Sequence, residues 1–348
     1  MIRHTLTSLS SLAALGADMV IDVSAPSEYA EDHVPGAVNM PVLSDAERAH
    51  VGTVYVQQSA FLARKIGAAL VAANAARHLQ GPLAAMEGGW QPLVYCWRGG
   101  QRSGAFATIL DQVGWRVHLL EGGYRSYRRE VSALLYDTPL PHRLRIIDGG
   151  TGTAKTALLH ALGAAGAQIL DLEGLAGHRG SLFGGLDAAQ PAQKMFESRL
   201  AHATQALDPA RLTWVEGESS KIGARMVPPA LWAAMGQAPR IEVSAPMPAR
   251  AAFLATAYAD LTQDPARLSA LIDQLRNYHA REVIAAWQTL ARLGDWQALA
   301  ADLMAVHYDP RYLKSQARSV QAPQQVALGA LDAQTLADAA QDLMARFS

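Results

Sequence analysis

The single cysteine of the chain, Cys96, ends an apolar run of Leu93, Val94 and Tyr95 and is followed by Trp97, Arg98, Gly99, Gly100, Gln101, Arg102 and Ser103. A helical pattern opens at Gly104, so the order is strand, loop, helix. Such an order builds an anion cradle. Adjacent glycines let successive N–H groups point inward, and the following helix adds its positive end at the same place. The same field favours a thiolate, and the guanidinium groups of Arg98 and Arg102 add to it, so the sequence predicts a nucleophilic cysteine.

A second loop carries phosphate chemistry. After the apolar residues 144–148 come Gly149, Gly150, Thr151, Gly152, Thr153, Ala154, Lys155 and Thr156, then a helical run to Ala165. This is one position away from the P-loop pattern of glycine, four residues, glycine, lysine and serine or threonine, with Ala154 in the place of the second glycine. Its N–H groups are expected to wrap a diphosphate, Lys155 to neutralise the terminal phosphate, and the Thr156 hydroxyl to hold a magnesium ion that accompanies the diphosphate. The methyl group of Ala154 argues against full nucleotide hydrolysis and leaves diphosphate binding in place. Glu216 and Glu218 follow an apolar run at 212–215, where a P-loop protein often places a metal-associated carboxylate; an exposed strand end is the equal alternative. His178 and Arg179 lie in a glycine-rich stretch expected to face the crevice at the carboxyl ends of the strands, as candidate substrate contacts. No further ligands accompany them, so no protein-bound metal and no tightly bound cofactor is expected.

The elements that must position these loops alternate. Strand-like runs at 19–23, 37–40, 93–96 and 117–120 are separated by helical patterns, and an alanine-rich helix over about 57–79 stands between the second and third. Pro139 and Pro141 break the pattern, and 137–143 is the expected linker between a domain at 1–136 and a second at 144–348. Strands near 144–148, 169–172, 212–216 and 240–244 follow, then a mostly helical region from Ala249, a strand-like run at 320–328 and a helix after Asp332. The predicted class is α/β throughout, with a helical C-terminal part.

The chain has 348 residues, enough for two such domains, and half of them are hydrophobic, which excludes a disordered chain. One cysteine permits neither an internal disulfide nor a multi-thiolate zinc site, as suits a reducing cytosol, and a cytoplasmic protein is expected. Residues 9–17 faintly imitate a signal peptide but are serine-rich and run straight into a strand pattern, so secretion is not expected. Without an apolar run of membrane-spanning length, no membrane partner is expected. A formal net charge of -1 leaves no global basic field, and any nucleic acid must bind a local patch. Arg125, Arg128, Arg129, His142, Arg143 and Arg145 are candidates for such a stripe, with Tyr124 and Tyr127 for stacking; a solvated helix face is the alternative.

Asp22 and Val23, Glu28 and Tyr29, and the string His33, Val34, Pro35, Gly36, Ala37, taken with the cysteine loop, resemble the rhodanese family over about residues 7–131. One residue more than usual separates Cys96 from Arg102, and the wider cradle is expected to admit a larger tetrahedral anion, such as a phosphate-bearing chalcogen donor. The strings 171–184, 215–223 and 307–312 narrow the resemblance further. With residues 96–103 they look like the bacterial tRNA 2-selenouridine synthase family over nearly the whole chain: a rhodanese-like domain followed by a P-loop NTPase-like domain.

That resemblance implies an enzyme acting on the wobble 2-thiouridine in the anticodon arm of tRNA. It implies transfer of a geranyl group from geranyl diphosphate to the sulfur, then replacement of the S-geranyl group by selenium from selenophosphate. Cys96 would then be the catalytic selenium carrier, forming a selanylsulfide. Trp97, Arg98, Gly99, Gly100, Gln101 and Arg102 would bind selenophosphate, residues 149–156 would bind the prenyl diphosphate, and the chain is expected to work as a monomer. Two other readings remain open: a P-loop kinase or ATPase with a rhodanese sensor, and a non-catalytic selenium carrier that binds tRNA.

Overall fold

A computed structural model describes residues 1–98, 100–316 and 323–347. The chain forms two compact units, one of Met1–Pro139 with Pro191–Ala206, the other of Leu140–Gln190 with Leu207–Ser348.

Five parallel strands build the first unit: β1 (Ile2–His4), β2 (Met19–Asp22), β3 (Val38–Asn39), β4 (Pro92–Tyr95) and β5 (His118–Leu120), in the order β1-β5-β4-β2-β3. β4 is central and all four of its residues are buried, which is why its sequence is a continuous apolar run without alternation. Cys96 is therefore the first residue past the carboxyl end of the central strand. Ile21, Val23, Val94, Phe106, Leu110 and Trp115 pack around it.

β1 escaped the sequence reading, because three residues that include Arg3 and His4 show neither a run nor an alternation. The helix expected over about 57–79 is present as Ala60–Gln80, and a second helix, Asp45–Gln57, precedes it. Ser59 makes the break: its hydroxyl accepts the N–H groups of Phe61 and Leu62 and so caps a new helix.

The helix Gln193–Gln205, which sequence order assigns to the second domain, belongs to the first unit. Buried polar groups hold it there. Asp32 accepts the hydroxyls of Tyr124 at 2.7 Å and Ser198 at 3.0 Å, while Glu197 receives Arg128 and the Tyr136 hydroxyl. Without this helix, Asp32 would lose one of its partners and Arg128 its carboxylate.

The second unit carries β6 (Arg143–Asp148), β7 (Gln168–Leu170), β8 (Leu212–Glu216), a short antiparallel pair β9 (Lys221–Ile222) and β10 (Arg225–Met226), then β11 (Arg240–Ser244) and β12 (Gln324–Ala327). The main sheet is parallel, ordered β12-β11-β6-β8-β7. Strands β7 and β8 lie on one side of β6 and the later strands on the other, so a topological switch point falls at the carboxyl end of β6, where open α/β sheets bind ligands. The first residues of the strand expected at 320–328 lie outside the described residues.

The terminal helix Ala333–Phe347 packs Leu336, Ala340 and Leu343 onto this sheet, and the helical region forms its own core around Leu268, Ile272, Ile284, Trp287 and Leu303. No described helix is long and apolar enough to cross a membrane.

Candidate functional site

Cys96 is fully buried. Its sulfur accepts the Ser103 hydroxyl at 3.2 Å and faces the Arg98 carbonyl at 3.4 Å, and its own carbonyl accepts the Tyr124 N–H at 3.0 Å. The Cys96 peptide is also pressed against Gly123, where a Cβ would lie 2.3 Å from the Cys96 oxygen at a φ of +57°. No side chain fits there. The loop therefore returns along one course.

Arg98, Gln101 and Arg102 rim an open cleft of about 620 Å³ together with Glu28, Arg48 and Thr53. Not every expected donor is available to it. The Arg102 guanidinium is held by Glu28 at 2.6 and 3.3 Å, and Arg48 reaches the same carboxylate at 2.7 Å. This pairing outweighs burial and holds the Glu28 carboxyl below its ordinary range. Trp97 departs further from expectation. Its N–H is spent on the Ser24 hydroxyl at 2.8 Å, and its ring is buried in a stack on Tyr124 with centroids 3.9 Å apart. Gly99 lies outside the described residues; Gly100 begins the helix Gln101–Val113 in a left-handed conformation.

Part of the basic stripe expected from residues 125–145 is spent inside the fold. Tyr124 and Tyr127 are 5% and 3% exposed, too buried to stack on a base, and Arg128 is paired with Glu197. His142, Arg143 and Arg145 belong to the other unit.

In the second unit, β6 delivers Gly149 to Thr156 to the switch point. Gly149, at a φ of +150°, runs so close to β11 that a Cβ would lie 2.5 Å from the Val243 oxygen. Arg250 clamps the loop from the helix Met247–Ala257, donating to the Thr151 carbonyl at 2.6 and 2.9 Å while Asp309 holds its other edge at 2.6 and 3.0 Å. Sequence reasoning missed Arg250 and assigned no chemistry to the string that contains Asp309. Nothing in the spacing ties two residues so far apart to one loop. The Lys155 ammonium donates to the Gly149 and Gly150 carbonyls at 2.8 and 3.4 Å, placing its charge on the loop itself.

Ala154 is the one non-glycine residue with positive φ among the described residues, at φ 61° and ψ 32°. The P-loop pattern has glycine there for this reason. A left-handed alanine costs roughly 1–2 kcal/mol, of which about 0.4–1 is offset by its stiffer unfolded chain. Ala154→Gly is therefore expected to stabilise the protein by roughly 0.5–1 kcal/mol. A denaturant titration should show a higher midpoint at unchanged slope; a lower midpoint would mean that the alanine conformation is not strained.

Next to the loop, three carboxylates converge. The Thr156 hydroxyl donates to Glu173 at 2.9 Å, and the Glu173 N–H donates to Glu216 at 2.7 Å. Glu216 is fully buried and one of its oxygens has no partner, so it is not an exposed strand end. Burial raises the pKa of Glu173, Glu216 and Glu218, and their mutual repulsion adds to it; Lys155 opposes the rise at Glu218. Among the described residues no cluster of three or more His, Cys, Asp or Glu has the geometry of a stand-alone metal site. The oxygens of Thr156 and Glu216 nonetheless fit a magnesium ion that takes its remaining ligands from a bound diphosphate and water. Glu173 was legible only as part of a string, because its role depends on β7 lying beside β8.

Arg179 reaches the loop cleft, but its guanidinium is bound by Asp260 at 2.6 and 2.9 Å and lies 4.3 Å over the Tyr258 ring. His178 lines no part of that cleft as described. Its Nδ1 is buried without a partner, and burial together with Arg179 lowers its pKa. The cleft, of about 370 Å³, shares Thr151, Ser181, Leu254, Tyr258 and Tyr308 with a smaller apolar chamber of about 80 Å³. Phe183, Leu261, Leu268, Trp296, Leu299 and Leu303 line that chamber, and the sequence reading found none of them.

Two stretches match described domains: residues 5–130 a rhodanese-like domain, and residues 142–281 the tRNA 2-selenouridine synthase AAA domain. The tRNA 2-selenouridine synthase of Chromohalobacter salexigens is 32% identical over 341 residues, which cover 88% of this chain and 91% of that one. Its counterpart in Psychromonas ingrahamii is 34% identical, with 72% and 67% of the two chains covered. The one in Nitrosomonas europaea is 36% identical, with 66% of this chain and 61% of that protein aligned. With both domains matched in tandem and one relative aligned over nine tenths of its length, the chain belongs to the tRNA 2-selenouridine synthase family.

Proposed function

We propose that this chain converts wobble 2-thiouridine in tRNA to 2-selenouridine through an S-geranyl intermediate, using geranyl diphosphate in the second unit and selenophosphate at Cys96 in the first. The observation that carries this reading is the shared wall between the phosphate loop and an apolar chamber. A nucleoside triphosphate has no use for such a chamber, whereas a prenyl diphosphate is a charged head on an apolar tail.

In the first step the bond between the allylic carbon and the diphosphate oxygen breaks as the carbon bonds to the thiocarbonyl sulfur, and the base loses its N3 proton. Lys155 and the loop N–H groups are placed to take up the charge that develops on the leaving oxygens. A magnesium ion held by Thr156 and Glu216 would shield the same oxygens. In the second step the Cys96 sulfur bonds to the phosphorus of selenophosphate as the P–Se bond breaks, which releases selenide with no change of oxidation state; Arg98 and the cleft rim attract the phosphate oxygens, and water then cleaves the S–P bond to free phosphate. Selenium then bonds to C2 of the base as the C2–S bond breaks, and the sulfur leaves as geranyl thiol. Alkylation makes this displacement feasible, because a thioether sulfur leaves far better than a thiocarbonyl sulfur.

Omission experiments on a tRNA bearing 2-thiouridine, read by mass spectrometry of its nucleosides, test the scheme. Without selenophosphate the S-geranyl nucleoside should accumulate, and without geranyl diphosphate the 2-thiouridine should persist. Selenouridine formed without any prenyl donor would overturn the order of steps. ATP turnover in the absence of tRNA would favour a nucleotide-dependent enzyme instead.

A further inference from the structure

We propose that the arginine cluster at the amino ends of β6 and β8 is a second anion site, one that grips the phosphodiester backbone of tRNA away from the reacting base. The inference rests on tRNA being the substrate. Arg143 opens β6, is exposed, and its side chain makes no hydrogen bond or ion pair among the described residues. Arg145, two residues on and so on the same face of the strand, lies 3.7 Å over the Phe347 ring and 5.9 Å from the Trp214 ring. Among the described residues its Nε is buried without a partner, and its side chain makes one hydrogen bond, to Gln324, 3.4 Å long. Arg346 packs on the same Phe347 ring from 5.3 Å, and Arg211 stands just before β8 with one N–H on the Gly166 carbonyl at 2.9 Å. Arg143, Arg211, Trp214 and Phe347 line a depression of about 330 Å³.

Only one ion-paired carboxylate, Asp342 on Arg346, answers these four guanidinium groups among the described residues. Aromatic rings hold like charges together where they repel, and burial together with Arg143 and Arg346 pushes the Arg145 pKa down. An arrangement the fold leaves unneutralised is stabilised by an anion, and guanidinium forks match phosphate oxygens. The loop's own ligand is out of reach: β6 runs six residues from Arg143 to Asp148, a span of about 17 Å at the usual rise. A tRNA spans that distance easily. With a net charge of -1 the chain has no general attraction for a polyanion and must rely on a patch of this kind.

The test is binding of a tRNA transcript across a salt series by wild type, Arg143→Glu, Arg143→Glu/Arg211→Glu and Arg143→Lys, with thermal melting to verify that each is folded. The double variant is expected to bind roughly tenfold more weakly, and its plot of log affinity against log salt should be shallower by about one per lost phosphate contact. The lysine variant should stay close to wild type. Wild-type affinity and slope in the double variant would overturn the site while leaving the proposed reaction intact. A wild-type chain that fails to bind tRNA would sink both.

Discussion

Cys96→Ser is expected to abolish selenouridine formation, by about three orders of magnitude or more, as loss of an essential nucleophile commonly does. S-geranyl transfer should continue at its normal rate. The substitution changes little else. Serine is close in size, the pocket's partners for the group at position 96, the Ser103 hydroxyl and the Arg98 carbonyl, serve an oxygen as well as a sulfur, and the peptide's contact with Gly123 is unaffected. A hydroxyl at that position is a far weaker nucleophile toward selenophosphate, because its pKa lies far above that of a thiol. Nucleoside mass spectrometry of a time course with both co-substrates should therefore show the S-geranyl species rising without conversion. If geranylation is lost as well, the division of labour between the units is wrong.

Lys155→Ala should have the complementary effect, slowing geranyl transfer by about 10²–10³-fold, the usual cost of removing one donor from a charge-stabilising cradle. Among the described residues the ammonium donates to the Gly149 and Gly150 carbonyls alone, and the following helix is anchored by Leu158, Leu159 and Leu162. The variant is expected to fold normally. Selenation of tRNA that already carries the S-geranyl group should be spared, which separates a chemical defect from a general one. Transfer at the wild-type rate with ordinary prenyl diphosphate concentrations would remove the phosphate loop from the mechanism.

Both loops at the centre of these predictions are legible in the amino-acid sequence, because each is local. Apolar run, glycines and helix start are contiguous from Leu93 to Gly104 and again from Leu144 to Ala165, and the conformations they require are set by neighbours a few residues away. Ala154 stands out as an anomaly for the same reason, since the left-handed backbone of its position belongs to the motif. Strands β8 and β11 lie at their expected bounds, β8 as a largely buried run and β11 as an alternation that buries Ile241 and Val243.

What the sequence alone determined was thus the two strand-loop-helix units and their order along the chain. Tertiary structure decided which charges remain available. Arg102 and Arg179 looked like free cations until Glu28 and Asp260 were brought against them, and Arg128 until Glu197 arrived on a helix from the far side of the linker. Ion pairs and apolar chambers join residues tens to hundreds of positions apart, and no periodicity records such pairings. The same folding that neutralised those arginines left Arg143 and Arg145 without an ion-paired carboxylate among the described residues, a distinction that depends on packing and not on residue type.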